Sequence, residues 1–258
     1  MSTPCISFNG IQHIFPGGVV AIDHVNLEIG QGQFTCLLGP SGCGKSTLLH
    51  IAAGFQTPTQ GQVCMQGSPI QGISPQRLMV FQEYALFPWM TVEANVMFGL
   101  QQTRVPDCQA RERVKQMLAL LKLREFADRY PKDLSGGMKQ RVAIARAMVL
   151  APPILLMDEP FAALDALTRR TLQDELLRLW QGAGTTILFV THSIEEALYL
   201  GTRVVVMTHR PGAVKADIPL DFAFPRQTST PAYLQVKEQL ESLVMAEQHQ
   251  YLQAEAAG

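Results

Sequence analysis

The chain has 258 residues, of which 47% are hydrophobic and 17% charged, and its formal net charge is -1. That length and apolar content allow one large core or two smaller ones. The charge excludes a chain-wide basic excess of the kind that drives nucleic-acid binding. Five cysteines, Cys5, Cys36, Cys43, Cys64 and Cys108, are scattered without a CxxC pair, which argues against a disulfide framework or a zinc site. Reduced thiols in a cytoplasmic compartment are the expectation.

The first ten residues have no basic segment followed by an apolar core, so no signal peptide is expected. No apolar run approaches the roughly 18 residues of a spanning helix. Any membrane association is expected to come through a partner.

Short apolar runs recur along the chain: Phe34–Leu38, Met79–Gln82, Ile154–Met157, Ile187–Val190 and Val204–Met207. They do not alternate with polar residues, which is how strands buried on both faces of a parallel or mixed sheet read. Helical periodicity lies between them, through Arg111–Leu123 and Thr168–Gln181. In the second stretch Leu172, Leu176 and Leu179 share a face, and Gly182 and Gly184 read as the stop. This alternation predicts an α/β domain. The region of about residues 84–150 is poor in strand signals and reads as an inserted helical subdomain. An α/β domain over 1–225 is expected, followed by a polar helical tail over 226–258.

Gly39-Pro40-Ser41-Gly42-Cys43-Gly44-Lys45-Ser46-Thr47 fits the pattern G-x-x-x-x-G-K-[ST]. A strand-like run precedes it and a helix-like run, Leu48–Ala53, follows and meets Gly54. Glycines let the backbone curl until its N–H groups face phosphate oxygens. The helix start adds partial positive charge. Lys45 brings a full charge to the β- and γ-phosphates, and the Ser46 hydroxyl is placed to hold Mg²⁺. The bland alternative is a glycine-rich turn. Cys43 reads as a small residue that fits this loop; alkylating it is expected to block nucleotide binding by bulk, with protection by ATP.

Ile154–Met157 is followed by Asp158-Glu159-Pro160. A buried strand there delivers two acids at its carboxyl end, where open α/β sheets bind ligands. Asp158 would hold Mg²⁺ through water, and Glu159 could orient or deprotonate an attacking water. An isolated acidic pair after a strand is usually a solvated turn. Beside a phosphate loop it gains a purpose, because one feature binds phosphate and the other supplies metal and water chemistry.

Leu134-Ser135-Gly136-Gly137-Met138-Lys139-Gln140, just before a helical stretch (Met138–Leu150) and shortly upstream of the acids, resembles the signature of the ATP-binding-cassette family. Other elements of that family follow in its order. Gln82 matches the Q-loop glutamine, Ala163-Leu164-Asp165 the D-loop, and His192 the switch histidine. Phe15 matches the aromatic that stacks on adenine, with a core aromatic as the alternative. The resemblance covers about residues 6–225. It implies a P-loop NTPase cassette with a mixed or parallel core sheet, N-terminal antiparallel β elements and the inserted helical subdomain.

The resemblance also implies ATP and Mg²⁺ as cofactors, with Lys45, Gln82, Glu159 and His192 catalytic. Ser46, Gln82 and Asp158 would hold the metal. In such proteins two cassettes meet head to tail, and ATP lies between the phosphate loop of one and the signature of the other. Ser135, Gly136 and Gly137 would then offer a donor-rich helix start to a γ-phosphate, and Asp165 would face the same interface. A second cassette, membrane permease subunits and, indirectly, an extracytoplasmic solute-binding protein are the implied partners; nucleic acid is not. The implied location is the cytoplasmic face of the membrane.

Tyr84, Leu86, Phe87, Pro88 and Trp89 form an aromatic cluster that either receives a helix of a membrane subunit or packs the subdomain's own core. Ala85–Thr91 and Phe161–Arg169 are similar to the group that imports nitrate, sulfonates, taurine and bicarbonate. The rival expectations are an exporter cassette, a soluble cassette acting on nucleic acid, and a subunit that binds ATP without turnover. The helical tail is expected to pack on its own domain.

Overall fold

The computed structural model describes residues 3–256. In chain order, β1 (Ile6–Ile14), β2 (Val20–Ile29) and β3 (Phe34–Leu38) precede α1 (Lys45–Ala53). β4 (Gln60–Met65), β5 (Ser68–Pro69) and β6 (Arg77–Val80) lead to α2 (Val92–Gln101) and α3 (Asp107–Leu120). Two 3-10 turns (Arg124–Phe126 and Pro131–Asp133) come before α4 (Gly136–Met148). Then follow β7 (Ile154–Asp158), α5 (Ala166–Ala183), β8 (Thr186–Thr191) and α6 (Ile194–Leu200). β9 (Arg203–Met207), β10 (Val214–Pro219) and α7 (Pro231–Ala256) complete the order. The chain divides into two compact units, one made of residues up to Ser74 with those from Thr186 onward, the other of Pro75–Thr185.

The first unit holds two sets of strands. β2, β1, β4 and β5 form an antiparallel sheet in that order. In β2 alternate residues Val25, Leu27 and Ile29 are buried, the period-2 pattern of a sheet covered on one face. The second set centres on β3, which pairs in parallel with β8 on one side and β9 on the other, while β10 runs antiparallel to β9. Every residue of β3 and β8 is buried. That burial explains the unbroken apolar runs in the sequence.

α7 lies along this same unit, against α6 and β9. Among the described residues of α7, Tyr233, Leu240 and Glu247 are the buried side chains, spaced by seven, so one narrow stripe faces inward. Leu234 is exposed. The tail rests on its own unit by a stripe of which only Leu240 is a leucine.

In the second unit β6 and β7 pair in parallel, from Arg77 opposite Ile154 to Val80 opposite Met157. α2 packs against α3 and α4, and α4 against α5. No strand occurs between β6 and β7 among the described residues.

Several boundaries differ from the sequence reading for physical reasons. β6 starts at Arg77, a buried charged residue that hides the strand start, and it ends before Gln82. α3 begins at Asp107 directly after Pro106 and stops at Leu120. α5 runs through Gly182 and ends at Gly184, whose φ of 65° only glycine adopts readily. α4 begins at Gly136, two residues before Met138, because Ser135 caps it. No helix among the described residues is long and apolar enough to cross a membrane.

Candidate nucleotide-binding site

β3 ends at Leu38 and the chain turns through Gly39–Gly44 into α1. Gly42 and Gly44 have φ of 76° and 95°, so the left-handed turns of the loop need them. A side chain on Gly44 would also come within 2.7 Å of the Ala21 carbonyl oxygen, so the loop lies directly on β2. Ser41 and Gly42 are exposed, Pro40, Ser46 and Thr47 half-buried, and Gly39 and Cys43 buried.

Lys45 is 4% exposed. Its Nζ donates to the carbonyls of Gly39 and Pro40 at 2.8 and 2.7 Å and lies 3.7 Å from Cys43 Sγ. The ammonium is therefore folded over the loop it belongs to. Burial pushes the Cys43 thiol up, against the opposing pull of the Lys45 ammonium. The loop runs directly into the start of α1, where a helix carries partial positive charge. A curled loop, a lysine and a helix N-terminus in one place form an anion cradle.

Two further predicted residues lie in this unit. His192 follows β8 and is exposed, ahead of α6, which Ser193 caps. Phe15 sits at the turn between β1 and β2 and is half-buried, outside the core. Its ring meets His13 edge to face at 4.8 Å.

The second unit carries the other predicted residues. Asp158 is the last residue of β7, whose other residues are wholly buried. Glu159 follows with φ of 42°, a backbone conformation uncommon for a side-chain-bearing residue. Strain of this kind is kept where surrounding structure enforces it, often at functional positions. Gln82 lies beyond β6 and is exposed.

Ser135 caps α4, its Oγ accepting from the Met138 N–H at 3.3 Å. Gly136 has the Tyr84 hydroxyl 3.0 Å from where a side chain would begin, and Gly137 has Thr168 Cγ2 at 2.4 Å. Asp165 caps α5 by accepting from the Thr168 N–H at 3.0 Å. That bond holds the Asp165 carboxyl below its ordinary range. The predicted residues are thus assembled in two groups, one in each unit: Phe15, Gly39–Thr47 and His192 in the first, and Gln82, Ser135–Gly137, Asp158, Glu159 and Asp165 in the second.

The residues present suit magnesium. Ser46, Gln82 and Asp158 are hard oxygen donors, the type this ion selects. Among the described residues no three His, Cys, Asp or Glu side chains cluster as a cage. Few protein donors together with phosphate oxygens is the usual arrangement for this cation.

The aromatic cluster after Gln82 divides. Phe87 stacks on Phe98 at 4.6 Å and lies under Arg146, whose guanidinium is 5.3 Å from its ring. Trp89 contacts Phe87 at 5.6 Å but is 70% exposed. Sequence reading missed the residue that shapes this segment. Asn95 is fully buried in α2, accepts from the Phe87 N–H at 2.9 Å, and donates to the carbonyls of Phe87, Met90 and Thr91. A lone asparagine in an apolar helix was the available signal.

The parallel strands, the anion cradle at the end of β3 and the acids at the end of β7 define a phosphate-loop nucleotide-binding protein. The model of the ABC transporter family matches residues 22–162. A putative ATP-binding protein of Brucella abortus biovar 1 (strain 9-941) is 51% identical over 223 residues, covering 86% of this chain and 85% of its own. The nitrate import ATP-binding protein NrtD of Synechococcus elongatus is 43% identical over 247 residues, covering 92% of this chain and 90% of its own. Among solved structures, the dimeric ATP-binding cassette MJ0796 in a post-hydrolysis state, bound to ADP and Pi, matches with a TM-score of 0.73. It is 31% identical and covers 84% of this chain and all of its own. The chain belongs to the ABC transporter family, as one of its ATPase subunits.

Proposed function

We propose that this chain is the ATP-hydrolysing subunit of an importer for a small anion such as nitrate, bicarbonate, taurine or a sulfonate. The cradle of Gly39–Thr47, with Lys45 folded over it, is the observation that carries the reading. Import and the anion class rest on likeness to a nitrate import protein over nearly the whole chain.

In this reading the loop amides and Lys45 bind the β- and γ-phosphates, and Phe15 stacks on the adenine. Ser46, Gln82 and, through water, Asp158 would hold Mg²⁺, which would supply positive charge beside the phosphates. Glu159 holds and deprotonates the attacking water, with Gln82 and His192 orienting it against the γ-phosphate. A second cassette, this chain or a sibling, contributes Ser135–Gly137 and Asp165 across a head-to-tail dimer. The dimeric form of a similar cassette supports that arrangement. The helical subdomain of residues 84–150, with exposed Trp89, receives the permease subunits and so holds the protein at the cytoplasmic face of the membrane. A solute-binding protein outside the membrane delivers the anion.

ATPase activity of the chain assembled with its permease in lipid tests the proposal, with and without a solute-binding protein loaded with candidate anions. Stimulation by one loaded protein is expected. Turnover that needs the permease and ignores every loaded protein would overturn import. A Glu159→Gln variant is expected to bind ATP and lose hydrolysis; unchanged turnover would remove Glu159 from the chemistry.

A further inference from the structure

The phosphate loop is held from behind by the turn joining β9 and β10. A side chain on Gly212 would begin 1.9 Å from the Cys43 carbonyl oxygen, so bare backbone of the turn presses on the loop. The Gly212 N–H donates to Ala21 O at 2.9 Å and its carbonyl accepts from the Asp23 N–H at 3.0 Å. The turn is thus stitched to the part of β2 that also touches Gly44. Arg210 Nε reaches Gly42 O at 3.4 Å, and the Met207 carbonyl stands 3.1 Å from where a side chain on Gly39 would begin. Two positions of the loop, Gly42 and Cys43, therefore rest on the turn, and a third, Gly39, rests on the end of β9 that leads into it.

The turn is closed within itself by Thr208, whose N–H donates to Ala213 O and whose hydroxyl binds both Pro211 O and the Ala213 N–H. Its outer side is fastened by a residue far along the chain. Glu247 of α7 accepts the His209 N–H on Oε2 at 2.7 Å and Lys215 Nζ on Oε1 at 2.5 Å. Lys215 also reaches Leu243 O on the same helix. Glu247 is 3% exposed, an unusual place for a carboxylate unless its partners are fixed.

We propose that Glu247 is a positioning residue for nucleotide binding: through His209 and Lys215 it latches the β9–β10 turn, and the turn sets the shape of the phosphate loop. The inference rests on the proposed nucleotide site. A buried carboxylate with two committed partners has one comfortable geometry, so it fixes the backbone at His209 to within a hydrogen bond's tolerance. A loop that binds through aligned backbone amides loses affinity when those amides shift by a fraction of an ångström. α7 thereby gains a route to the loop.

The test is equilibrium binding of a fluorescent ATP analogue to the full chain, beside its thermal midpoint. Glu247→Ala is expected to weaken binding about five- to tenfold at a temperature where the variant is fully folded. Glu247→Gln keeps an acceptor for the His209 N–H and is expected to bind within about twofold of the natural chain. That pattern, loss and conservative rescue at equal foldedness, separates positioning from a stability defect. If Glu247→Ala does not fold, Glu247→Asp, whose shorter carboxylate cannot reach both partners, takes its place with the same expected loss. Natural affinity in the folded alanine or aspartate variant overturns the inference while leaving the nucleotide site intact. A natural chain that binds no ATP analogue overturns both.

Discussion

Arg141 Nε lies 3.0 Å from Oε2 of Glu175, a carboxylate only 3% exposed, and so ties α4 to α5. The other oxygen of Glu175 lies 3.5 Å from Lys122 Nζ, without hydrogen-bond geometry. Removing Arg141 would take the hydrogen-bonded partner from this buried carboxylate and leave it with the more distant, largely exposed Lys122. Arg141→Met is expected to destabilise the protein by about 3–5 kcal/mol in urea unfolding. Replacing both residues with methionine is expected to recover most of that loss, since a well-packed apolar pair does not carry the desolvation of two ions. A single variant within about 0.5 kcal/mol of the natural chain would contradict this account.

Gly137 and Thr168 make a second joint between the same helices. A methyl on Gly137 would fall 2.4 Å from Thr168 Cγ2. Gly137→Ala is expected to cost about 1–3 kcal/mol by overpacking. Thr168→Ser removes that methyl while keeping the backbone N–H that Asp165 accepts, so the double variant is expected to regain at least half. A double-mutant cycle by chemical denaturation reads the coupling directly; strict additivity would mean that the two do not clash.

Much of this architecture is legible in the sequence. The cradle at Gly39–Thr47 declares itself by spacing, because the geometry needs particular residues at particular steps. β3, β7 and β8 declare themselves by burial on both faces. What stays hidden is of another kind. Arg77 starts a strand with a charge, so no hydropathy signal marks it. Asn95 stands out as a lone polar residue in an apolar helix, but its partners in Phe87–Thr91 are backbone atoms, which the residue identities there do not reveal. Glu247 and His209 are far apart in the chain, and a hydrogen bond to a main-chain N–H imposes nothing on the residue that supplies it.

Asn95 supplies a prediction of its own. Asn95→Ala leaves the Phe87 N–H and three carbonyls without their partner. The expected loss is about 2–4 kcal/mol, from several hydrogen bonds worth about 1 kcal/mol each and the desolvation left behind. Trp89, exposed beside Phe87, reports on the same segment. Its fluorescence is expected to change in the folded variant; an unaltered spectrum would mean that the segment keeps its shape without Asn95.

Cys43 is expected to label slowly. It is 1% exposed, and burial raises its thiol out of the reactive range. Cys108 is exposed and is expected to react first with maleimide. Peptide mass spectrometry over time separates the two. ATP protection, if it occurs, belongs to the slow Cys43 phase; labelling of Cys43 as fast as Cys108 would show a loop that opens freely.

Glu247 also predicts a pH dependence. Burial acts to raise its carboxyl, but the Lys215 ammonium and the His209 amide outweigh it, and the folded value lies below the ordinary one. A group depressed on folding stabilises above its unfolded pKa, and that contribution disappears as pH falls through the folded value. The thermal midpoint is therefore expected to drop as pH falls below about 4.3, the ordinary glutamate value, and on through the lower folded one. In Glu247→Gln the drop should be smaller, because amide and acid differ only where the acid ionises. An equal drop in both would assign the acid sensitivity to other carboxylates.

The cap of α4 has a consequence for how a helix start can greet an anion. Ser135 Oγ spends a lone pair on the Met138 N–H. Its hydroxyl hydrogen is not consumed by that bond, because a hydroxyl gives and receives at once. Aspartate would cap the same helix as firmly and would repel the anion; asparagine would cap through its carbonyl and present its amide from a longer arm. Serine secures the turn and keeps a compact uncharged donor at the helix start. The small hydroxyl is a hinge pin with a free end, and the helix it fastens offers its donors without a competing charge.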